Sequence, residues 1–179
     1  LVLVSRGVDE QSLTVPEARV TSIIGPNGCG KSTLLRGLGR LLAPRSGEVI
    51  LDGRPLSAQS SRRIATRISI LPQTPTAPSG LTVADLVSRG RHPRQKWYQQ
   101  FSPADETVID DALRATDIVE LADTPLEVLS GGQRQRAWIS MTLAQETGIL
   151  LLDEPTTYLD LAHQVDVLGR GAHDRQERR

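Results

Sequence analysis

The stretch that most constrains the fold is a glycine-rich loop between an apolar run and a helix-like segment. Residues 25–33 read Gly-Pro-Asn-Gly-Cys-Gly-Lys-Ser-Thr, which fits the phosphate-binding pattern G-x-x-x-x-G-K-[ST]. The β-branched run Val20–Ile24 precedes the loop and predicts a buried strand, and apolar residues at helical spacing follow it. A strand, a loop and a helix in this order predict a cradle for a polyphosphate, because backbone N–H groups and the helix dipole converge on the anion.

This segment, called the phosphate loop below, provides most of the predicted nucleotide contacts. The residues expected to bind phosphate are Gly25, Pro26, Asn27, Gly28, Cys29, Gly30, Lys31, Ser32 and Thr33. Lys31 is expected to reach the β- and γ-phosphates and to act in catalysis, and the Ser32 hydroxyl is expected to ligate Mg²⁺. Cys29 is interpreted as a small structural residue. The alternative is a glycine-rich turn with a chance lysine, which four fixed positions in the right setting disfavour.

Composition indicates a globular protein and disfavours several other classes. The 179 residues suffice for one domain with a small inserted subdomain. The 21 Lys and Arg balance 21 Asp and Glu, so no overall charge favours nucleic acid as a partner. Strongly apolar runs reach four residues, far fewer than the ~20 needed to cross a bilayer. A lone cysteine cannot form an internal disulfide, which favours a reducing cytosol.

The rest of the chain mixes predicted strands and helices, as an α/β fold does. Strands are predicted at 1–4, 12–15, 48–53 with an Asp-Gly turn, 67–73 and 149–152. Helices are predicted at 31–42, 60–66, 82–88, 103–116 and 134–145. Pro-, Thr- and Ser-rich residues 74–80 mark a change in composition, so an inserted helical subdomain is predicted from about residue 76.

Two polar features of this region have open interpretations. Gln73 ends a strand-like run and is expected at the sheet edge where ligands collect. The basic and aromatic stretch 90–98 fits a nucleic-acid patch, a solvated surface or a protein-docking edge.

A second helix start is predicted to bind phosphate by the same physics as the first. The residues expected to do so, at the beginning of an amphipathic helix, are Ser130, Gly131, Gly132 and Gln133. An ordinary helix cap is the alternative.

An apolar strand at 149–152 then ends in two adjacent carboxylates, Asp153 and Glu154. Adjacent strand residues face opposite ways, so the two acids are expected to hold different roles. Asp153 is predicted to bind Mg²⁺. Glu154 is predicted to orient the attacking water as a general base.

In this order the motifs resemble the ATP-binding subunit of ABC (ATP-binding cassette) transporters. They correspond to that family's Walker A loop, Q-loop, signature, Walker B strand and D-loop, found here at 25–33, Gln73, 129–133, 149–154 and 158–160. The resemblance implies an α/β P-loop NTPase with a mainly parallel central sheet, an antiparallel portion near the N-terminus and an inserted helical subdomain. It implies a core in residues 1–75, a helical subdomain in 76–134 and the rest of the core in 135–179. It also implies a role for Gln73 in catalysis and at Mg²⁺.

The resemblance further implies a head-to-tail homodimer that sandwiches ATP. The phosphate loop of one subunit and Ser130–Gln133 of the other are expected to hold each nucleotide, and hydrolysis is expected to reopen the dimer. Transmembrane permease subunits would dock on the helical subdomain at the cytoplasmic face of the cell membrane. A periplasmic or lipoprotein substrate-binding protein would act indirectly, and no nucleic acid is expected.

Three stretches are similar to importers of ferric siderophores, related iron chelates or cobalamin. They are residues 25–33, 81–93 and 153–164. Uptake of a ferric siderophore or similar chelate is therefore the leading interpretation.

Two departures from the family pattern predict a chain truncated at both ends. Residues 1–24 contain no Phe, Trp or Tyr, although the family places an adenine-stacking aromatic there. No apolar strand precedes His173, although the family's switch histidine follows one. Two alternatives stay open, a truncated cassette that binds ATP and hydrolyses it poorly, and a soluble ABC ATPase unconnected with transport.

Overall fold

The computed structural model describes residues 2–4, 12–95 and 102–153. Two compact units divide these residues. The core unit contains the described residues up to Ile70 together with Thr147–Asp153, and the helical unit contains Leu71–Glu146. Among the described helices, none combines the length and the apolar character that a membrane span requires. The domain limits predicted at residues 75 and 134 stay a prediction.

An antiparallel sheet forms one part of the core unit. Its strands are β1 (Val2–Val4), β2 (Ser12–Thr14), β3 (Glu48–Leu51) and β4 (Arg54–Pro55), in the spatial order β2-β1-β3-β4. All three pairings are antiparallel. Asp52 and Gly53 join β3 to β4 with positive φ angles of 52° and 72°, as a tight hairpin requires. The predicted antiparallel portion near the N-terminus is confirmed.

The rest of the core unit carries the phosphate loop. It consists of α1 (Lys31–Leu38), α2 (Ser61–Ala65), β5 (Ile68–Leu71) and β6 (Ile149–Leu152), with β5 beside β6. The Ile149 amide donates a hydrogen bond of 3.0 Å to the Arg67 carbonyl, where these two strands begin to run side by side. Both helices and three of the strands contribute to one apolar core, whose buried members are Leu38, Val49, Leu51, Leu56, Ile64, Ile68 and Leu151.

The prediction of a buried strand at Val20–Ile24 is wrong. The backbone between residues 15 and 26 forms no strand, and Val20 and Ile24 are 81% and 92% exposed. Strand formation needs a partner, and the described strands pair only among themselves. β-branched residues therefore favour a strand here without being sufficient to form one.

Three α-helices lie in the described part of the helical unit. They are α3 (Val83–Ser88), α4 (Pro103–Ala115) and α5 (Gly131–Ala144), and short 3₁₀ turns cover Arg89–Arg91, Val119–Leu121 and Leu126–Val128. They share an apolar cluster, whose buried members are Val83, Leu86, Val87, Ala112, Leu113, Ile118, Leu126, Leu129, Ala137 and Ala144. This unit matches the helical subdomain expected from the sequence.

Candidate nucleotide-binding site

The phosphate loop leads into α1 through two glycines in left-handed conformations. Gly28 and Gly30 have φ angles of 80° and 94°, which a residue with a Cβ adopts at an energetic cost. Gly30 is the N-cap of α1 and forms no side-chain cap. The first N–H groups of a helix lack intrahelical partners, so this helix start directs donors and the positive end of the dipole toward the loop.

Lys31 lies across the phosphate loop. Its Nζ donates to the carbonyl oxygens of Gly25 and Pro26 at 2.9 Å each, and Cys29 Sγ lies 3.9 Å away. A Cβ on Gly25 would come within 2.6 Å of the same sulfur, so a side chain at this position would require Cys29 to shift. The ammonium group is thereby held inside the loop, where it adds a full positive charge to the N-terminus of α1.

Ser32 and Asp153 meet although 121 residues separate them in sequence. Ser32 Oγ donates to Asp153 Oδ1 at 2.8 Å, and Asp153 is 9% exposed. β6 ends one residue before Asp153 and so delivers the carboxylate to the start of α1. Two of the three residues predicted to bind Mg²⁺ therefore lie in one place, although they are far apart in the chain.

The donor set at this place fits Mg²⁺. A hydroxyl and a carboxylate supply hard oxygen ligands, and within the described ranges no group of three His, Cys, Asp or Glu side chains forms a protein cage. Mg²⁺ is commonly bound by one or two protein oxygens, with phosphates and water completing its shell. Ser32 and Asp153 therefore suit a metal that binds together with a nucleotide.

Of the other residues considered for catalysis, the structure describes only Gln73. Gln73 lies exposed two residues after β5, within the helical unit. Glu154, residues 158–160 and His173 lie outside the described residues. Their roles stay predictions.

The second glycine-bearing helix start, called the signature segment (Leu129–Gln133), is capped. Ser130 Oγ accepts from the Gln133 amide at 3.3 Å, and Gln133 Oε1 accepts from the Ser130 amide at 2.9 Å, which is a reciprocal capping box. Leu129 is buried, whereas Ser130, Gly131 and Gly132 are exposed. The backbone donors of this helix start are therefore accessible while its direction is fixed.

Gln133 has a role that the sequence prediction missed. It was predicted to contact phosphate, and in the structure its side chain caps α5. The signal was present, because Ser-x-x-Gln before a helix is the capping-box pattern. Arg134 supports the same turn by donating to the carbonyl oxygens of Glu127 and Leu129 at 3.3 and 3.4 Å.

Glu127 connects the loop after Gln73 to the signature segment within the helical unit. Its Oε1 accepts from the Gly80 amide at 2.6 Å, and this hydrogen bond lowers the pKa of the Glu127 carboxyl. The Leu126 amide also donates to the Leu81 carbonyl at 2.9 Å. Pattern reasoning gave no signal for this contact, because it joins two loops that are 47 residues apart.

Comparison with known proteins identifies the family. The sequence model of the ABC transporter family matches residues 8–157, which is most of the chain. This chain belongs to the ABC transporter family. The resemblance to ABC ATPases and the α/β P-loop fold, both predicted from the sequence, are confirmed.

Named relatives of this ABC family member include ATP-binding proteins of import and transport systems. The chain is 54% identical over 161 residues to the petrobactin import ATP-binding protein FpuD of Bacillus anthracis, covering 90% of this chain and 59% of that protein. It is 52% identical over 157 residues to the ferric enterobactin transport ATP-binding protein FepC of Escherichia coli K12, covering 88% and 58%. The chain thus spans less than two thirds of the length of these relatives.

A solved structure supports the fold independently. The chain is similar to cbiO1 of Clostridium perfringens, part of the ABC transporter complex cbiONQ, with a TM-score of 0.71 at 29% identity. The likeness covers 98% of this chain and 74% of that one.

Proposed function

We propose that this ABC-family chain binds and hydrolyses ATP with Mg²⁺, as a head-to-tail homodimer that powers import of a ferric siderophore or similar chelate. The hydrogen bond of 2.8 Å between Ser32 and Asp153 carries the proposal. It brings the end of the Walker B strand to the phosphate loop, and the two motifs together make a site for a metal-bound triphosphate.

Each part of the phosphate loop has a function in this proposal. The N–H groups beside Gly28 and Gly30 and the start of α1 bind the phosphate oxygens. Lys31 exchanges its carbonyl partners for the β- and γ-phosphates, which offer a stronger, charge-assisted hydrogen bond. Ser32 and Asp153 hold Mg²⁺, which when bound neutralises charge on the phosphates.

The signature segment supplies the other half of the proposed site from the partner subunit. Ser130, Gly131 and Gly132 are exposed at a capped helix start, which supports a role in binding phosphate across an interface. Glu154 is proposed to take the proton of the attacking water, and Gln73 to help place that water and the metal.

The proposed cargo and location come from the relatives. The petrobactin and ferric enterobactin proteins are named for import or transport of iron chelates. On that basis the chain is proposed to act at the cytoplasmic face of the membrane, bound to permease subunits and served indirectly by a substrate-binding protein.

Glu154→Gln tests the hydrolysis part of the proposal. Replacing the general base is expected to slow ATP turnover by about 10²- to 10⁴-fold and to trap an ATP-bound dimer. Phosphate release measures turnover, and light scattering measures dimer formation. Glu120→Gln serves as the matched control, because it makes the same substitution at an exposed residue of the helical unit. A native chain with neither turnover nor an ATP-dependent dimer would favour a cassette that is defective in hydrolysis.

Copurification tests the transport part. A tagged chain extracted from its own cells in mild detergent is expected to retain a multi-spanning membrane protein. Recovery with ribosomes or DNA and without a membrane protein would instead support a soluble ABC ATPase.

A further inference from the structure

Arg91 is a buried cation in the helical unit. Arg91 is 6% exposed, and its guanidinium donates three hydrogen bonds. Nε donates to Asp105 Oδ1 at 2.8 Å, while Nη1 donates to the Ala144 carbonyl at 2.7 Å and to Glu146 Oε2 at 2.8 Å. Burying a guanidinium is costly unless such partners satisfy it, so this geometry is closely specified.

Two of these partners lie at the C-terminal end of α5. A helix C-terminus carries unpaired carbonyls and the negative end of the dipole, which a cation stabilises. The last turn of α5 contains no basic residue of its own. Arg91 supplies the charge from another segment, and Arg94 adds donors to the carbonyls of Gln145 and Glu146.

Close packing reinforces this contact. A Cβ on Gly90 would overlap the Met141 carbonyl oxygen and lie 3.2 Å from Ala144 Cβ. The turn Arg89–Arg91 therefore rests directly on the last turn of α5. A side chain at residue 90 would push the two apart.

The third partner, Asp105, extends the contact to α4. Its Oδ2 accepts from the Ser102 amide and hydroxyl at 3.1 and 2.9 Å, in the capping box of that helix. Burial would raise the pKa of Asp105, yet the hydrogen bonds from Arg91 and Ser102 outweigh it and hold the pKa below its ordinary value. Arg91 thus ties the start of α4 to the end of α5.

The signature segment begins α5 at the opposite end from this contact. We infer that Arg91 is a positioning residue that fixes the direction of α5, and through it the placement of Ser130–Gly132 against the partner's nucleotide. This inference rests on the proposed function. A 14-residue helix is about 21 Å long, so a tilt of about 5° at one end moves the other by roughly 2 Å. Displacements of that size are large for groups that bind a reacting phosphate.

Arg91→Met in the full chain tests the inference, because methionine fills much of the space without the charge. The expected result is an approximately tenfold rise in the protein concentration that gives half-maximal ATP turnover. The affinity for a fluorescent ATP analogue, measured on the monomer, is expected to change by less than about twofold, because the phosphate loop lies in the other unit. Because unfolded protein would also raise the apparent half-maximal concentration, the folded fraction of each variant is measured by circular dichroism and the concentrations are expressed as folded protein.

Arg114→Met is the matched control. Arg114 lies on α4 and pairs with Asp110 and Asp111 on an exposed surface, so its loss is expected to leave the concentration dependence unchanged. Arg91→Lys keeps the charge with fewer donors and is expected to fall between wild type and Arg91→Met. If the methionine variant does not fold, the lysine variant provides the test.

The outcomes separate the inference from the proposed function. The inference alone would be overturned if the wild-type chain forms dimers and hydrolyses ATP, and if folded Arg91 variants show the same dependence of turnover on protein concentration. A wild-type chain without ATP-dependent dimers or turnover would overturn the proposed function and, with it, the inference.

Discussion

The two glycine-bearing helix starts of this chain are built differently. The N-cap of α1 is Gly30, in a left-handed conformation without a side-chain cap, and the first helical residue, Lys31, folds its ammonium group back onto the loop. The N-cap of α5 is Ser130, whose side chain and that of Gln133 form a capping box. The first start leaves its N–H groups to a ligand, and the second uses part of its hydrogen bonding to stabilise itself.

The difference indicates a division of work between the two units. An uncapped helix start with a cation binds an anion strongly by itself. At the capped start the guanidinium of Arg134 is turned to the carbonyl oxygens of Glu127 and Leu129. Such a start offers fewer donors in a fixed direction, which suits recognition of an anion that is already bound elsewhere. The core unit is therefore expected to set the affinity for nucleotide, and the helical unit is expected to set the dependence of dimerisation on nucleotide.

Among the substitutions that test this difference, Lys31→Ala should have the largest effect, and it should act on nucleotide affinity. Loss of the charge-assisted contacts to phosphate is expected to weaken nucleotide binding by about 100-fold, measured by titration with a fluorescent ATP analogue. Arg36→Ala removes an exposed cation from the last turn of the same helix and should leave the affinity nearly unchanged. Retained affinity in Lys31→Ala would contradict the phosphate-loop assignment.

Ser130→Ala should have an intermediate effect in the helical unit. Loss of the cap is expected to lower the free energy of unfolding by about 1 kcal/mol. Dimerisation driven by ATP is expected to weaken about fivefold, because in the proposed dimer the hydroxyl faces the partner's nucleotide. Thr82→Ala breaks the equivalent capping box of α3 and should reproduce the first effect without the second. Equal dimerisation in the two variants would contradict the assignment of the signature segment to the nucleotide site.

The smallest effect concerns acid stability of the helical unit. The pKa of Asp105 is lowered from 3.8, so its stabilising contribution is complete above that pH and is lost as the pH falls toward the lowered value. Urea midpoints should therefore fall more steeply between pH 5 and pH 3 in wild type than in Asp105→Asn. Asp110→Asn, on the exposed face of α4, should follow the wild-type slope. Parallel curves for wild type and Asp105→Asn would show that the Asp105 carboxylate does not contribute to the pH dependence of stability.

Local patterns predicted helix caps and a tight turn well in both units. The caps at Thr82 and Ser102 and the Asp52–Gly53 turn depend on residues within four positions of each other, so the sequence contains their whole cause. α5 begins at Gly131 and not at Arg134 as predicted. Two glycines lowered the apparent helix propensity there, and the Ser130–Gln133 capping box overrides it.

Contacts between segments distant in the chain could be predicted from the sequence only where motifs identified both partners. The Ser32–Asp153 contact was anticipated because two motifs assign both residues to one metal. The basic stretch 90–98 left three interpretations open, and none anticipated that Arg91 would be buried against Asp105 and the end of α5. Spacing cannot reveal such partners, since packing of three helices brings them together.

Chemical crosslinking between the two helix starts tests the central claim most directly. Cys29 is the only cysteine in the sequence and is exposed in the phosphate loop, and Gly132→Cys would add a second thiol where a side chain meets no neighbour within 4 Å. With a short bifunctional maleimide, the account predicts a covalent dimer that Mg-ATP changes in yield and that Cys29→Ser abolishes. Crosslinks formed only within single chains, or dimers that survive Cys29→Ser, would contradict a shared site built from opposite subunits.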